Sequence, residues 1–186
     1  MIFTPTPLSD AWLIELEPKT DSRGYFARTY CEEEFSRRGL NCRWPQMNQS
    51  YSALSGTLRG MHYQRGIHAT DKLIRCLKGS VCDVIVDLRL SAPTRHQWFT
   101  TTLSEDRLTW LYVPKGFAHG FITMTAEVMV EYLMSANYDP ESEAGFRYDD
   151  KYFKLPWPRE VEIISPKDRA WPDFDPASDP LAGGSP

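Results

Sequence analysis

An all-β fold, a sandwich or barrel with a jelly roll as the expected form, is what this 186-residue chain predicts. Three observations carry that reading. Short strand-like segments alternate with turn residues along most of the chain. A single stretch of any length reads as helix. No period of repeat length appears. The strands are expected at residues 12–17, 24–30, 56–64, 72–77, 81–88, 97–103, 109–113, 120–125 and 128–134. Pro114-Lys115-Gly116 is a turn: Pro sets φ and Gly tolerates positive φ. The helix is expected at residues 31–38, with Gly39 ending it. A hydrophobic fraction of 41% suits one domain with a sizeable core, placed at residues 1–170. Beyond it, residues 171–186 are rich in Pro, Asp, Ser and Gly, and 177–186 in particular read as a mobile tail.

Composition excludes several classes. The net charge is -4 and Lys and Arg are dispersed, so no basic block marks a nucleic-acid surface. No uncharged apolar run is long enough to span a membrane. The first residues, Met1-Ile2-Phe3-Thr4-Pro5, lack the charged and apolar regions of a signal peptide. Cys31, Cys42, Cys76 and Cys82 form neither a CxxC nor a zinc spacing, and read as reduced cysteines of a cytoplasmic protein. Cys76 and Cys82 lie in apolar strands, where they serve as core filler.

Strand periodicity then locates unusual polar residues. In Arg59-Gly60-Met61-His62-Tyr63-Gln64, His62 and Gln64 share one face, with Arg59 on the other or at the edge. In residues 81–89, Cys82, Val84, Val86 and Leu88 form an apolar face opposite Asp83, Ile85 and Asp87. In residues 128–134, Tyr132 points inward with Val128, Val130 and Met134, opposite Glu131. Taken alone, Tyr132 reads as a core tyrosine with a satisfied hydroxyl. Lys72 alone reads as a solvent lysine at a strand end. Together, His62, Lys72, Asp83, His119 and Tyr132 stand where apolar residues are expected, the pattern of a lined cavity.

Ordered motifs add a resemblance. They include Asp21-Ser22-Arg23-Gly24-Tyr25-Phe26, Gln46-Met47-Asn48-Gln49-Ser50, Leu58-Arg59-Gly60-Met61-His62-Tyr63-Gln64 and Lys72-Leu73-Ile74-Arg75. Further along come Asp83-Val84-Ile85-Val86-Asp87-Leu88-Arg89, the run from Val113 to Phe121, Tyr132, Tyr138, Glu143, Trp157-Pro158 and Ser165-Pro166-Lys167-Asp168. In this set and order, from about residue 12 to 170, the chain resembles the dTDP-4-dehydrorhamnose 3,5-epimerases of the cupin superfamily.

The resemblance implies a cupin-like jelly roll (a double-stranded β-helix) with a few short helices. It also implies epimerisation at C3 and C5 of a nucleotide-linked 4-keto-6-deoxyhexose. Both hydrogens are α to the ketone. A base can therefore remove either one to give an enolate, and reprotonation from the opposite face inverts the carbon. By the resemblance His62 is the base, paired with Asp168, although Asp83 is a rival partner by strand face. Tyr132 is the proton donor and Lys72 steadies the enolate. Arg23, Arg59 and Lys167 would meet the nucleotide and its diphosphate, as suits cations that bind phosphate oxygens. Gln46 and Asn48 would read the nucleotide, Phe26 would stack near base or sugar, and His119 would donate to sugar or phosphate. Tyr138 and Glu143 would line the mouth. No cofactor and no metal are expected. The expected assembly is a homodimer with exchanged N-terminal strands.

One departure stands out. The family's Glu two residues after the Phe of the D-x-R-G-x-F motif is Arg28 here. In the family that Glu contacts the nucleotide from a segment exchanged between subunits. Guanidinium only donates where carboxylate accepts, which bears on the choice of nucleotide base. Three other readings stand beside the main one. A single-site 3- or 5-epimerase or ketoisomerase, possibly with another nucleotide, would share the scaffold and base. A metal-dependent cupin would need a second His where the chain reads His62-Tyr63-Gln64. A non-catalytic sugar-nucleotide binder would be expected to have lost one of His62, Lys72, Tyr132 or Asp168.

Overall fold

Apolar residues occupy both faces of the central strands, so each main sheet must be covered on two sides. The computed structural model describes residues 1–178, 180 and 181. In chain order its strands are β1 (Ile2–Pro5), β2 (Trp12–Glu15), β3 (Lys19–Asp21), β4 (Gly24–Phe26), β5 (Gln46–Ser52), β6 (Thr57–Gln64) and β7 (Lys72–Lys78). They continue as β8 (Ser80–Asp87), β9 (Trp98–Ser104), β10 (Thr109–Val113), β11 (Phe117–Thr123), β12 (Val128–Met134), β13 (Glu143–Gly145) and β14 (Ile163–Ile164). The short helices are α1 (Glu32–Ser36) and α2 (Pro166–Arg169). One sheet runs β1-β2-β10-β7-β12-β5 and the other β13-β6-β11-β8-β9, with β14 added parallel to β6. The crossovers between sheets are those of a jelly roll, as the sequence predicts. β3 and β4 form a separate hairpin.

Three apolar layers hold this together. Ile74, Val81, Ile85, Leu111, Phe121 and Val130, drawn from both sheets, pack between them. Ile14, Leu73, Trp110 and Tyr112 back the first sheet and are covered by Phe35 of α1 and by Leu40. Met61, Val84, Val86 and Ile122 back the second and are covered by Phe146, Phe153 and Phe174. Fully burying each such side chain contributes about 1.5–3 kcal/mol before entropy is counted. Cys76 and Cys82 are buried in these layers, as expected of core filler.

Several boundaries differ from the expected ones. The strand expected at 24–30 stops at Phe26, and the one expected at 120–125 begins at Phe117. Helix α1 spans Glu32–Ser36 within the expected 31–38, and Gly39 follows with φ 68°. Strand β5 was not anticipated because Gln46, Asn48 and Ser50 interrupt any apolar alternation. On β8 both faces are buried: Asp83 and Asp87, opposite the apolar set Cys82, Val84, Val86 and Leu88, are fully buried. Packing also continues past residue 170, since Phe174 is buried against Phe146 and Phe153. Residues 179 and 182–186 lie outside the described residues, and with them most of the segment expected to be mobile.

One local irregularity positions the site. Between β11 and β6, His119 pairs with His62 and Phe121 with Arg59, so β6 takes three steps where β11 takes two. This bulge puts Arg59 on the same face as His62, correcting the strict alternation that would set them apart. Gly60 accommodates it with φ 137°, and a Cβ there would lie 2.5 Å from Gly120 Cα.

Candidate active site

The two sheets part at one end around a cavity of about 560 Å³. Strand pairing brings its lining together from distant segments: β5, β6, β7, β11, β12, the loop carrying Tyr138, and the segment leading into α2.

His62 projects into the cavity from β6. Its Nε2 lies 2.7 Å from Asp168 Oδ1, and the other carboxylate oxygen accepts from Gly60 N at 3.3 Å. Asp168 is placed by a local device. Ser165 caps α2, its Oγ accepting from Asp168 N at 3.0 Å, and Pro166 follows at a helix-start position. Burial pushes the Asp168 carboxyl up, but the hydrogen bond and charge of His62 and the Gly60 N–H outweigh it and hold the group below its usual value.

Lys72 opens β7 and is buried, with Nζ donating to His62 O at 3.4 Å. Burial lowers its pKa to about 8, against the raising influence of Asp83 and Glu143. Tyr132 lies on β12, the neighbour of β7 in the same sheet. Its hydroxyl lies 3.1 Å from Ser50 Oγ, and burial drives the phenol well above its usual range, opposed by Ser50. His119 is buried on β11 with Nε2 2.9 Å from Asp83 Oδ2. Geometry thus pairs His62 with Asp168, and Asp83 with His119 instead.

The mouth is more polar. Arg59 Nε donates to Ser52 Oγ at 3.2 Å and its Nη2 to Tyr51 O at 2.9 Å, which holds the guanidinium along the rim. Glu143 pairs with both Lys167 and the Tyr138 hydroxyl. Burial pushes the Glu143 carboxyl up, yet these two partners hold it below its usual value. Asn48 lines the cavity. Gln46 donates to Asn48 Oδ1 at 3.1 Å and accepts from Tyr138 N at 2.9 Å, so it supports the rim. Gln64 does similar work: Nε2 donates to His68 O at 2.9 Å and Oε1 accepts from Asp139 N at 2.7 Å.

Three expected site residues stand apart from this cavity. Arg23 pairs with Asp21 on the β3–β4 hairpin. Phe26 is 76% exposed on the same hairpin. Arg28 is exposed and donates to Glu34 Oε1 at 3.1 Å. Conversely, Ser50, Ser52, Ser165 and Trp171, which touches His62 edge-on, were not singled out as site residues. Of these only Ser165 carries a signal of its own, since Ser-Pro before a short polar run reads as a helix start. Among the described residues, no group of three or more His, Cys, Asp or Glu side chains could hold a metal ion, and no helix is long and apolar enough to cross a membrane.

Comparison with known proteins places this geometry. The family model described as dTDP-4-dehydrorhamnose 3,5-epimerase matches residues 5–176. The chain is 41% identical over 172 residues to the dTDP-4-dehydrorhamnose 3,5-epimerase of Methanothermobacter thermautotrophicus, covering 91% of this chain and 92% of that one. The Bacillus anthracis enzyme of the same name, solved with TDP and PPi bound, superposes with a TM-score of 0.90 at 39% identity, over 93% of this chain and 99% of that one. The dTDP-6-deoxy-D-glucose-3,5-epimerase of Legionella pneumophila, in complex with dTDP-4-keto-L-rhamnose, gives 0.90 at 33% identity, over 100% and 99%.

Proposed function

This chain belongs to the dTDP-4-dehydrorhamnose 3,5-epimerase family, and from that premise we propose how its own residues divide the reaction on a dTDP-linked 4-keto-6-deoxyhexose. The observation that carries the reading is the meeting of His62–Asp168, Lys72 and Tyr132 in one cavity.

His62 is the base. Asp168 takes the Nε2–H, so Nδ1 keeps its lone pair for the C–H α to the ketone. As the carbon gives up its proton, charge passes to the C4 oxygen. Lys72 supplies a buried ammonium there, worth more in this water-poor setting than in solvent. Tyr132 holds a proton at neutral pH and delivers it to the opposite face of the enolate, while Ser50 stabilises the phenolate left behind. The imidazolium and phenolate then exchange protons with solvent, which restores the site. The same set serves C3 and C5 in turn, since each hydrogen is α to the one ketone.

Arg59, Lys167 and Asn48 bind the nucleotide diphosphate, with Tyr138 and Glu143 closing the mouth. Arg23 and Phe26 serve the cavity of a second copy in a homodimer. Support for this comes from the hairpin, whose Tyr25 and Phe26 are exposed, and from edge strand β5, which leaves Met47 and Tyr51 exposed. Arg28, tied to Glu34, is structural. The four free thiols suit a cytoplasmic location.

The test is proton NMR in D2O with dTDP-4-keto-6-deoxyglucose. Wild type should exchange and invert both C3 and C5. Folded His62→Asn should exchange neither; wild-type exchange in that variant would remove His62 from the role of base.

A further inference from the structure

Asp83 takes no part in the chemistry above, yet it is fully buried beside the cavity. One oxygen is engaged by His119 Nε2 at 2.9 Å. The other, Oδ1, is buried with no hydrogen-bond partner among the described residues. An idle buried carboxylate oxygen is costly unless a cation lies nearby. The cation here is Lys72, on which Asp83 acts more strongly than any other charge.

Register explains the grouping. Asp83 pairs with Phe121 on β11, two residues from His119, so both side chains point from the second sheet toward Lys72 on the first. The titratable groups around Lys72 are Asp83 on β8, His62 on β6, His119 on β11, Tyr132 on β12, Glu143 on β13 and Asp168 on α2. Asp168 is spent on His62 and Glu143 on Lys167 and Tyr138, which leaves Asp83 as the carboxylate serving Lys72. His119 lines the cavity, and its Nδ1 carries no hydrogen bond among the described residues.

We infer that Asp83 is a positioning residue that sets the state of two cavity groups at once: its hydrogen bond holds His119 with the proton on Nε2 and the Nδ1 lone pair toward the substrate, and its charge keeps Lys72 an ammonium. His119 is then an acceptor for a sugar hydroxyl, whereas a donor was expected from the sequence. Burial alone pushes the His119 imidazole toward its neutral form, which suits this role. The inference rests on the epimerase reading for its consequence in catalysis, though not for the two states themselves.

The experiment therefore begins without substrate. Long-range 15N spectra of the wild-type protein should show neutral His119 protonated at Nε2. The 13Cε titration of Lys72 should have its midpoint near pH 8 in wild type and about one unit lower in Asp83→Asn. With substrate, kcat/KM of Asp83→Asn at pH 8 should then fall about fourfold more than at pH 6.5, the share of ammonium lost. Neutral wild-type His119 protonated at Nδ1 overturns the inference, as does an unmoved Lys72 midpoint in folded Asp83→Asn. If that variant does not fold, the wild-type spectrum still decides. Absence of turnover with correct His119 and Lys72 states would instead count against the epimerase reading.

Discussion

His62 Nε2 and Asp168 Oδ1 lie 2.7 Å apart across 106 residues of sequence. A carboxylate so placed selects one imidazole tautomer and supports the imidazolium that forms on proton abstraction. Asp168→Asn should therefore lower kcat/KM by about 10²–10⁴-fold, the range of a positioned acid–base group. Deuterium exchange at C3 and C5, read by NMR in D2O, should fall in parallel. An unchanged exchange rate would mean that the pair is structural.

Tyr132→Phe separates the two half-reactions. It removes one hydroxyl and little volume, so the fold should persist. Abstraction by His62 should survive in part while delivery on the far face fails. Exchange with retention should then outlast epimer formation. Equal loss of both would make Tyr132 a substrate-positioning group.

Lys72 sets an alkaline limit. Its pKa of about 8 means that the ammonium is present below pH 8 and lost as pH rises through it. The kcat/KM profile should decline above about pH 8 for this reason. Lys72→Met, which cannot carry charge, should lower activity throughout and erase that limb. A limb that persists in Lys72→Met belongs to another group.

The exposed β3–β4 hairpin predicts assembly. Light scattering at micromolar concentration should give twice the chain mass. Phe26→Ala should weaken substrate binding more than it alters kcat, because an apolar ring can contact the substrate but transfers no proton. A fully active monomer would overturn the shared site.

Arg28→Glu tests the departure from the family motif. The guanidinium is exposed and engaged by Glu34, so it does not reach the cavity of its own chain. The rank order of kcat/KM for dTDP-, UDP-, CDP- and GDP-linked 4-keto sugars should stay as in wild type. A shift toward dTDP of about ten- to a hundredfold, the scale of one charged hydrogen bond, would instead place residue 28 against the nucleotide.

The strands were legible because apolar alternation is a local property of the chain. β8 and β12 read correctly from side-chain period alone, and Gly39 ended α1 as expected. β5 was missed because its cavity-facing residues are polar, and a polar strand looks like a loop until a cavity explains it. The same limit applies to single residues. Tyr132 and Lys72, read alone, were a core tyrosine and a solvent lysine; only the family's order of motifs raised them to site residues.

By itself, then, the sequence determined the fold class, the inward face of β12 and, through its ordered motifs, the family. Pairing across long separations was decided by tertiary structure. By strand face alone Asp83 was a rival partner for His62 and only the resemblance named Asp168, since period-two alternation gives a face but no distance. The bulge at Gly60 turned Arg59 to the cavity, and the Ser165 cap of α2 brought Asp168 to His62, leaving Asp83 to His119. These outcomes depend on strand register and on close contact between segments a hundred residues apart, which no local pattern of side chains encodes.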